Sequence, residues 1–164
     1  MKKHGRFLIF FAVLTLLFSG QVFAERRPET LAPFKKGSGL AGFTTGFSPL
    51  AGNHLMLSFN WESGLTGRWG FGYLGANVLT GLFFKEGKTT LGVGLDLNYH
   101  YDLKEERFDF YSGVSALVPF VETETPRFGV HVAGRFYYHP AAAMEFRAGF
   151  GTNIFSVGVI YAVN

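Results

Sequence analysis

The 164-residue chain has no cysteine and only three methionines. Without cysteine there is no disulfide scaffold, no thiolate metal site and no lipoprotein attachment residue, so the fold must hold by packing and hydrogen bonding alone. Amphipathic helical periodicity is absent after residue 24. The charge is equally uninformative about acidic partners. The formal +3 comes from Lys2, Lys3 and Arg6 at the extreme N-terminus, which leaves twelve basic residues against twelve acidic ones. No basic stripe exists to follow a phosphate backbone, and no nucleic-acid partner is expected. His54, His100, His131 and His139 fall on different strands or at opposite ends, without local ligand spacing, so no metal site and no cofactor is expected. The "GVG" and "GFG" glycines precede no helix and are not phosphate loops.

What the chain does have is 22 glycines and 20 phenylalanines. It opens with "MKKHGRFLIFFAVLTLLFSGQVFAERR": basic residues to Arg6, an apolar run from Phe7 to Phe18, then Val22-Phe23-Ala24. This is the layout of a cleavable signal peptide covering 1–24, its apolar core too short to span a bilayer comfortably. The expected organisation is a leader at 1–24, a short segment at 25–37, and one domain from 38 to 164.

Period-two patterning recurs along that domain. In "LGVGLDLNYHYD", Leu91, Val93, Leu95, Leu97, Tyr99 and Tyr101 share one face, while Gly92, Gly94, Asp96, Asn98 and His100 share the other. Strands are expected near 39–48, 54–62, 67–83, 89–101, 107–118, 127–138, 143–150 and 154–163. The gaps carry turn residues, and such short links make neighbouring strands antiparallel. The third strand is long and its alternation falters near Asn77. A bulge or overhang is the preferred account, and a split into two strands the alternative. The fold class expected is all-β: an eight-stranded antiparallel up-and-down barrel.

Which face points inward follows from the polar face. A watery surface carries many Lys and Glu, yet here the polar faces hold small residues and a few charges, with no lysine inside any of the strands expected above. That suits the crowded interior of a barrel of eight strands. The other face is apolar and bulky: Leu55, Leu57, Phe59 and Trp61; Trp69, Phe71 and Tyr73; Phe108 and Phe110; Phe128, Val130, Val132, Phe136 and Tyr138; Phe146 and Phe150; Phe155, Val157, Val159 and Tyr161. Ten residues tilted about 45° rise about 23 Å, the height of the apolar band of a transmembrane barrel. Folded up and down, the strands collect almost all outward Trp and Tyr at the rim that holds both chain ends, as an interfacial belt would.

These features resemble the small eight-stranded outer membrane barrels of Gram-negative bacteria, the OmpA-like and OmpX-like group, over about residues 38 to 164. The closing strand "SVGVIYAV" supplies Ser156, Gly158, Tyr161 and Val163, similar to the polar-x-Gly-x-x-aromatic-x-hydrophobic signal read by the barrel assembly machinery. It departs from that pattern by ending on Val163-Asn164 instead of a terminal Phe or Trp. The resemblance implies residence in the cell outer membrane, contact with outer membrane lipids, recognition by the assembly machinery during insertion, and a monomer.

The inward set is Glu62, Arg68, Asp96, Asn98, His100, Asp109, Tyr111, Ser115, His131, Arg135, Tyr137, Glu145 and Arg147. Buried charges need partners. Short links suggest Glu62 with Arg68, His100 with Asp109, and Arg135 with Glu145. The network Glu62, Arg68, Asp96, His100, Asp109, Arg135, Glu145 and Arg147 therefore reads as packing, and the protein as a structural or interaction barrel. Three other functions compete: a lipid A-modifying enzyme, a narrow passive pore, and a soluble lipocalin-like carrier. For the enzyme, the candidate catalytic set is His131, Ser115 and Glu145. No His-x-Ser-Asn sequence of the deacylase kind occurs, and "ERRPETLAPFKKGSG" is too short and too broken by Pro28 and Pro33 for the amphipathic helix of a palmitoyl transferase.

Overall fold

In the computed structural model, residues 33–49, 54–85, 87–120 and 125–163 are described. The expected leader at 1–24 lies outside them, as do most of the segment at 25–37 and parts of the links at 49–53 and 119–126. Period-two alternation produces eight strands: β1 (Gly39–Ser48), β2 (His54–Gly64), β3 (Gly72–Lys85), β4 (Lys88–Tyr101), β5 (Phe108–Pro119), β6 (Arg127–His139), β7 (Ala142–Phe150) and β8 (Phe155–Ala162). Each pairs antiparallel with its sequence neighbours, and β8 pairs with β1 to close a barrel. Closure leaves no strand edge unpaired.

The stagger sets the barrel's shape. The register path Gly39, Ser63, Ala76, Leu97, Val114, Val130, Phe150, extended along the lines of the β7–β8 and β8–β1 registers, returns ten residues beyond Gly39, just past the end of β1. With strands about 4.8 Å apart and about 3.3 Å rise per residue, that stagger tilts the strands by about 40°. An interior of this width holds side chains and little else.

The third strand departs from the expected 67–83. Trp69 and Gly72 form an isolated bridge, with Trp69 N–H donating to Gly72 O at 2.7 Å, and Gly70 adopts φ 63°. A turn at Gly70–Phe71 therefore interrupts the alternation, and β3 runs unbroken from Gly72 to Lys85. The interruption changes the phase. Trp69 and Phe71 are 63% and 81% exposed, but Tyr73, expected to point outward with them, is 3% exposed and faces the interior.

Inside the barrel, buried polar side chains outnumber buried apolar ones among the described residues. The apolar ones gather in two tiers. Phe34, Leu40, Tyr73 and Ile160 pack at the end where β1 begins and β8 finishes, the terminal end of the barrel. Met56, Leu79, Phe83 and Leu117 pack towards the other end. Between them lies the polar network. On the outer face Phe43, Phe128, Val130 and Phe150 are 58–80% exposed. At the rim nearest the termini, Trp69, Tyr99, Tyr101 and Phe110 form a chain of ring contacts at 5.1–6.3 Å.

Phe83 is fully buried and anchors the tier away from the termini. Phe83→Ala should cost about 3–5 kcal/mol in reversible urea unfolding. A loss well below that range would show that this tier does not close the barrel.

Candidate functional site: a buried ionic core

Period two turns alternate residues of β2, β4, β5, β6 and β7 inward, and the registers stack their charges at one level. Asp109 stands opposite Arg135, and Arg135 opposite Glu145. His100 stands opposite Tyr111. Arg135, 2% exposed, is the hub. Its Nε donates to Glu145 Oε2 at 2.7 Å and its Nη1 to Asp109 Oδ2 at 3.3 Å. Its Nη2 donates to Glu62 Oε2 and, at 3.3 Å, to the Tyr111 hydroxyl oxygen. The guanidinium also lies 4.5 Å from the centre of the Tyr111 ring. Three carboxylates from β2, β5 and β7 thus share one cation.

A second cation sits beside it. Arg147 Nη1 donates to Asp96 Oδ2 at 2.7 Å, and Nη2 donates to the Tyr111 hydroxyl oxygen at 3.2 Å. That hydroxyl donates to Glu145 Oε2 at 2.7 Å, joining the two arginines. Asn77 Nδ2 donates to Asp96 Oδ2 at 2.7 Å, and Asn98 Nδ2 donates to Glu62 Oε1 at 2.5 Å. Four carboxylates face two guanidiniums here, and neutral donors with His100 meet part of what remains; Glu145 Oε1 is buried without a hydrogen bond, its nearest cation being Arg147 Nη2 at 3.9 Å. His100 bridges two of the acids: Nδ1 lies 3.0 Å from Asp109 Oδ1, and Nε2 lies 3.0 Å from Glu62 Oε1.

The sequence-derived pairs fare differently. His100 meets Asp109, and Arg135 meets Glu145, each across a short link. Glu62 and Arg68 do not pair. Arg68 belongs to the turn before β3 and not to a strand, so its side chain leaves the interior, is 50% exposed and approaches Asp102 at 3.6 Å. Glu62 finds Arg135 across the lumen instead.

His131, Ser115 and Glu145 are not brought together as a catalytic set. His131 Nε2 contacts Asn98 Oδ1 at 2.9 Å, Ser115 Oγ contacts Thr152 Oγ1 at 2.6 Å, and Glu145 is held by Arg135 and Tyr111. Gly113 makes room for the first contact, since an added Cβ would run into Asn98 Oδ1 and His131 Nε2. Among the described residues no three His, Asp or Glu side chains form a set that could hold a metal ion.

On β8, Ser156 points inward and accepts from Asn153 Nδ2 at 2.7 Å. Gly158 lies against Thr44 of β1, while Tyr161 and Val163 are exposed on the outside. Asn77 and Phe34 are among the interior residues that escaped the sequence reading. Asn77 sits at the point where alternation seemed to falter, yet it is in phase with Tyr73 once the turn is counted. Phe34 belongs to the segment before β1, and a lone aromatic between Pro33 and Lys35 was its only signal.

No protein-family model matches the chain, and no curated protein matches it. Among solved structures it is similar to a chain from the de novo design of transmembrane β-barrels, with a TM-score of 0.64 at 13% identity over 79% of this chain and 98% of that one. This likeness shows the fold alone: a small, closed, eight-stranded antiparallel barrel. A loop L8 deletion mutant of OmpT, an outer membrane protein of Vibrio cholerae, aligns over 72% of this chain and 44% of its own at 14% identity, with a TM-score of 0.31, too low to bear on the argument.

Breaking the hub leaves buried carboxylates unpaired. Arg135→Ala should lose about 3–5 kcal/mol of stability. Adding Glu145→Gln should cost less than its own single substitution does, because the orphaned acid is then gone. Strict additivity in urea unfolding would mean that the two side chains do not depend on one another.

Proposed function

We propose that the chain is a small outer membrane barrel of the OmpA-like and OmpX-like group, a monomer with a structural or interaction role and a sealed interior. The observation that carries this reading is the inverted distribution of polarity: ions inside, exposed aromatics and aliphatics outside. Exposed Phe43, Phe128, Val130 and Phe150 would be costly in water but are at home among acyl chains. A closed sheet pairs its backbone groups, which hydrocarbon requires. The ring chain of Trp69, Tyr99 and Tyr101 at one rim suits a headgroup interface.

The filled lumen weighs against transport. Arg135, Tyr111 and Arg147 occupy the centre, and Met56, Leu79, Phe83 and Leu117 pack beyond them. A void lined by Met56, Gly94, Asp96, Arg147 and Thr152 measures about 20 Å³, room for one water and not for a carried ligand. During insertion, Tyr161 and Val163 would face outward where the barrel assembly machinery could read them, with outer membrane lipids as the lasting partners.

Substitution of the outer face tests the orientation. Val130→Arg or Val159→Arg should cost about 2–4 kcal/mol in lipid vesicles. Fractionation should recover the chain with the outer membrane, and planar bilayers should show no steady conductance. Recovery as a soluble periplasmic protein would favour the carrier, and open-pore conductance would favour the passive pore. Loss of a lipid A modification in His131→Ala or Ser115→Ala would move the function to catalysis.

A further inference from the structure

The two mouths of the barrel are closed by different means. Away from the termini, the closing side chains belong to β2, β3 and β5. At the terminal mouth the plug is Phe34, which precedes the first strand and is 1% exposed. Its ring stacks on the His100 imidazole with centroids 3.7 Å apart and planes 20° from parallel. Arg135 Cζ lies 5.9 Å from the ring centre, and Leu40, Tyr73 and Ile160 pack around it.

The slot is built to the ring's shape. Gly75 faces inward on β3, and a Cβ there would stand 2.8 Å from Glu62 Oε1 and 2.9 Å from Phe34 Cζ, so the carboxylate and the ring would both have to shift. The strap that delivers the ring has its own fastenings. Gly37 N–H donates to Gly64 O at 3.1 Å, Gly64 N–H to Ser38 O at 2.8 Å, and Lys35 N–H to Ser38 Oγ at 3.0 Å. Gly37 turns the chain at φ 79°, so Lys35 and Lys36 stay exposed while one aromatic ring drops into the mouth.

We propose that the terminal mouth is a binding slot for a neutral aromatic ring, and that Phe34 is its tethered occupant. A ring face presented to an imidazole and a guanidinium gains from stacking and from cation–π attraction, while the acids below exclude an anionic ligand. Because the occupant arrives on a strap and not on a strand, it can leave without opening the sheet. Access to the ionic core is then one-sided and depends on a single residue.

The absence of native cysteine provides the test. Leu40→Cys places one thiol against Phe34, and its reaction with a polar maleimide in detergent micelles reads the mouth alone, whatever membrane the barrel occupies. With Phe34 present, labelling of the folded band should be slow. Phe34→Ala should speed it about tenfold or more, and added benzene or indole should slow it again by filling the vacated slot. Unchanged labelling in the folded Phe34→Ala barrel would overturn the plug. Faster labelling that neither benzene nor indole slows would overturn the ring specificity. If the alanine variant yields no folded band on unheated gels, Phe34→Leu is read by the same criteria.

Discussion

The structure depends on one guanidinium. Arg135 is almost wholly buried, and a buried cation is tolerable only with its countercharges in place. Those countercharges come from Glu62 on β2, Asp109 on β5 and Glu145 on β7, so the hub ties three strands that are not mutual neighbours. Side chains on a strand alternate strictly, and a slip of one residue on β6 would turn Arg135 into the apolar outer face and Phe136 into the core. The ion cluster therefore specifies register as well as stability. In an up-and-down sheet whose neighbours could otherwise slide, that specification is what hydrophobic alternation alone does not supply.

Barrel width explains why the cluster is so dense. A ten-residue stagger over eight strands leaves a lumen that long side chains span from wall to wall. Arg135 on β6 reaches Glu62 on β2, and Arg147 on β7 reaches Asp96 on β4. Space for these crossings comes from small residues on the seam: Gly42, Thr44, Gly46 and Ser48 of β1 with Ser156 and Gly158 of β8. Beyond Leu40 and Ile160, which belong to the tier at the terminal mouth, the closing pair of strands contributes little bulk to the lumen. With an apolar tier at each end, the ions sit in a compartment where charge-assisted bonds are stronger than they would be in water.

The faces of most strands were readable from the sequence because period two needs only local order. His100 with Asp109 and Arg135 with Glu145 were readable for the same reason, each pair spanning one short link. Glu62 with Arg135, and Asp96 with Arg147, were not. Those contacts cross the lumen, and which residues meet across it depends on the stagger, a property of the closed sheet that no single hairpin encodes. Arg68 and Tyr73 were misassigned through one cause, the turn at Gly70, where a bridge between Trp69 and Gly72 resets the alternation that the residues on either side appear to continue.

Phe34 shows a different limit. Its position follows from no periodicity, since it lies outside the strands and gains its burial from a vacancy on β3. The vacancy exists because position 75 is glycine, and glycine in a strand is ordinarily a cost. Here that cost is offset by a ring that covers His100 and separates Glu62 and Asp109 from bulk water. Were the mouth open, water would screen the attractions that hold Arg135, and the same carboxylates could satisfy themselves with solvent. The shielding of the ionic core and the burial of Phe34 are thus one condition: the ring is held by the cluster it covers, and the cluster keeps its strength only while the ring is in place.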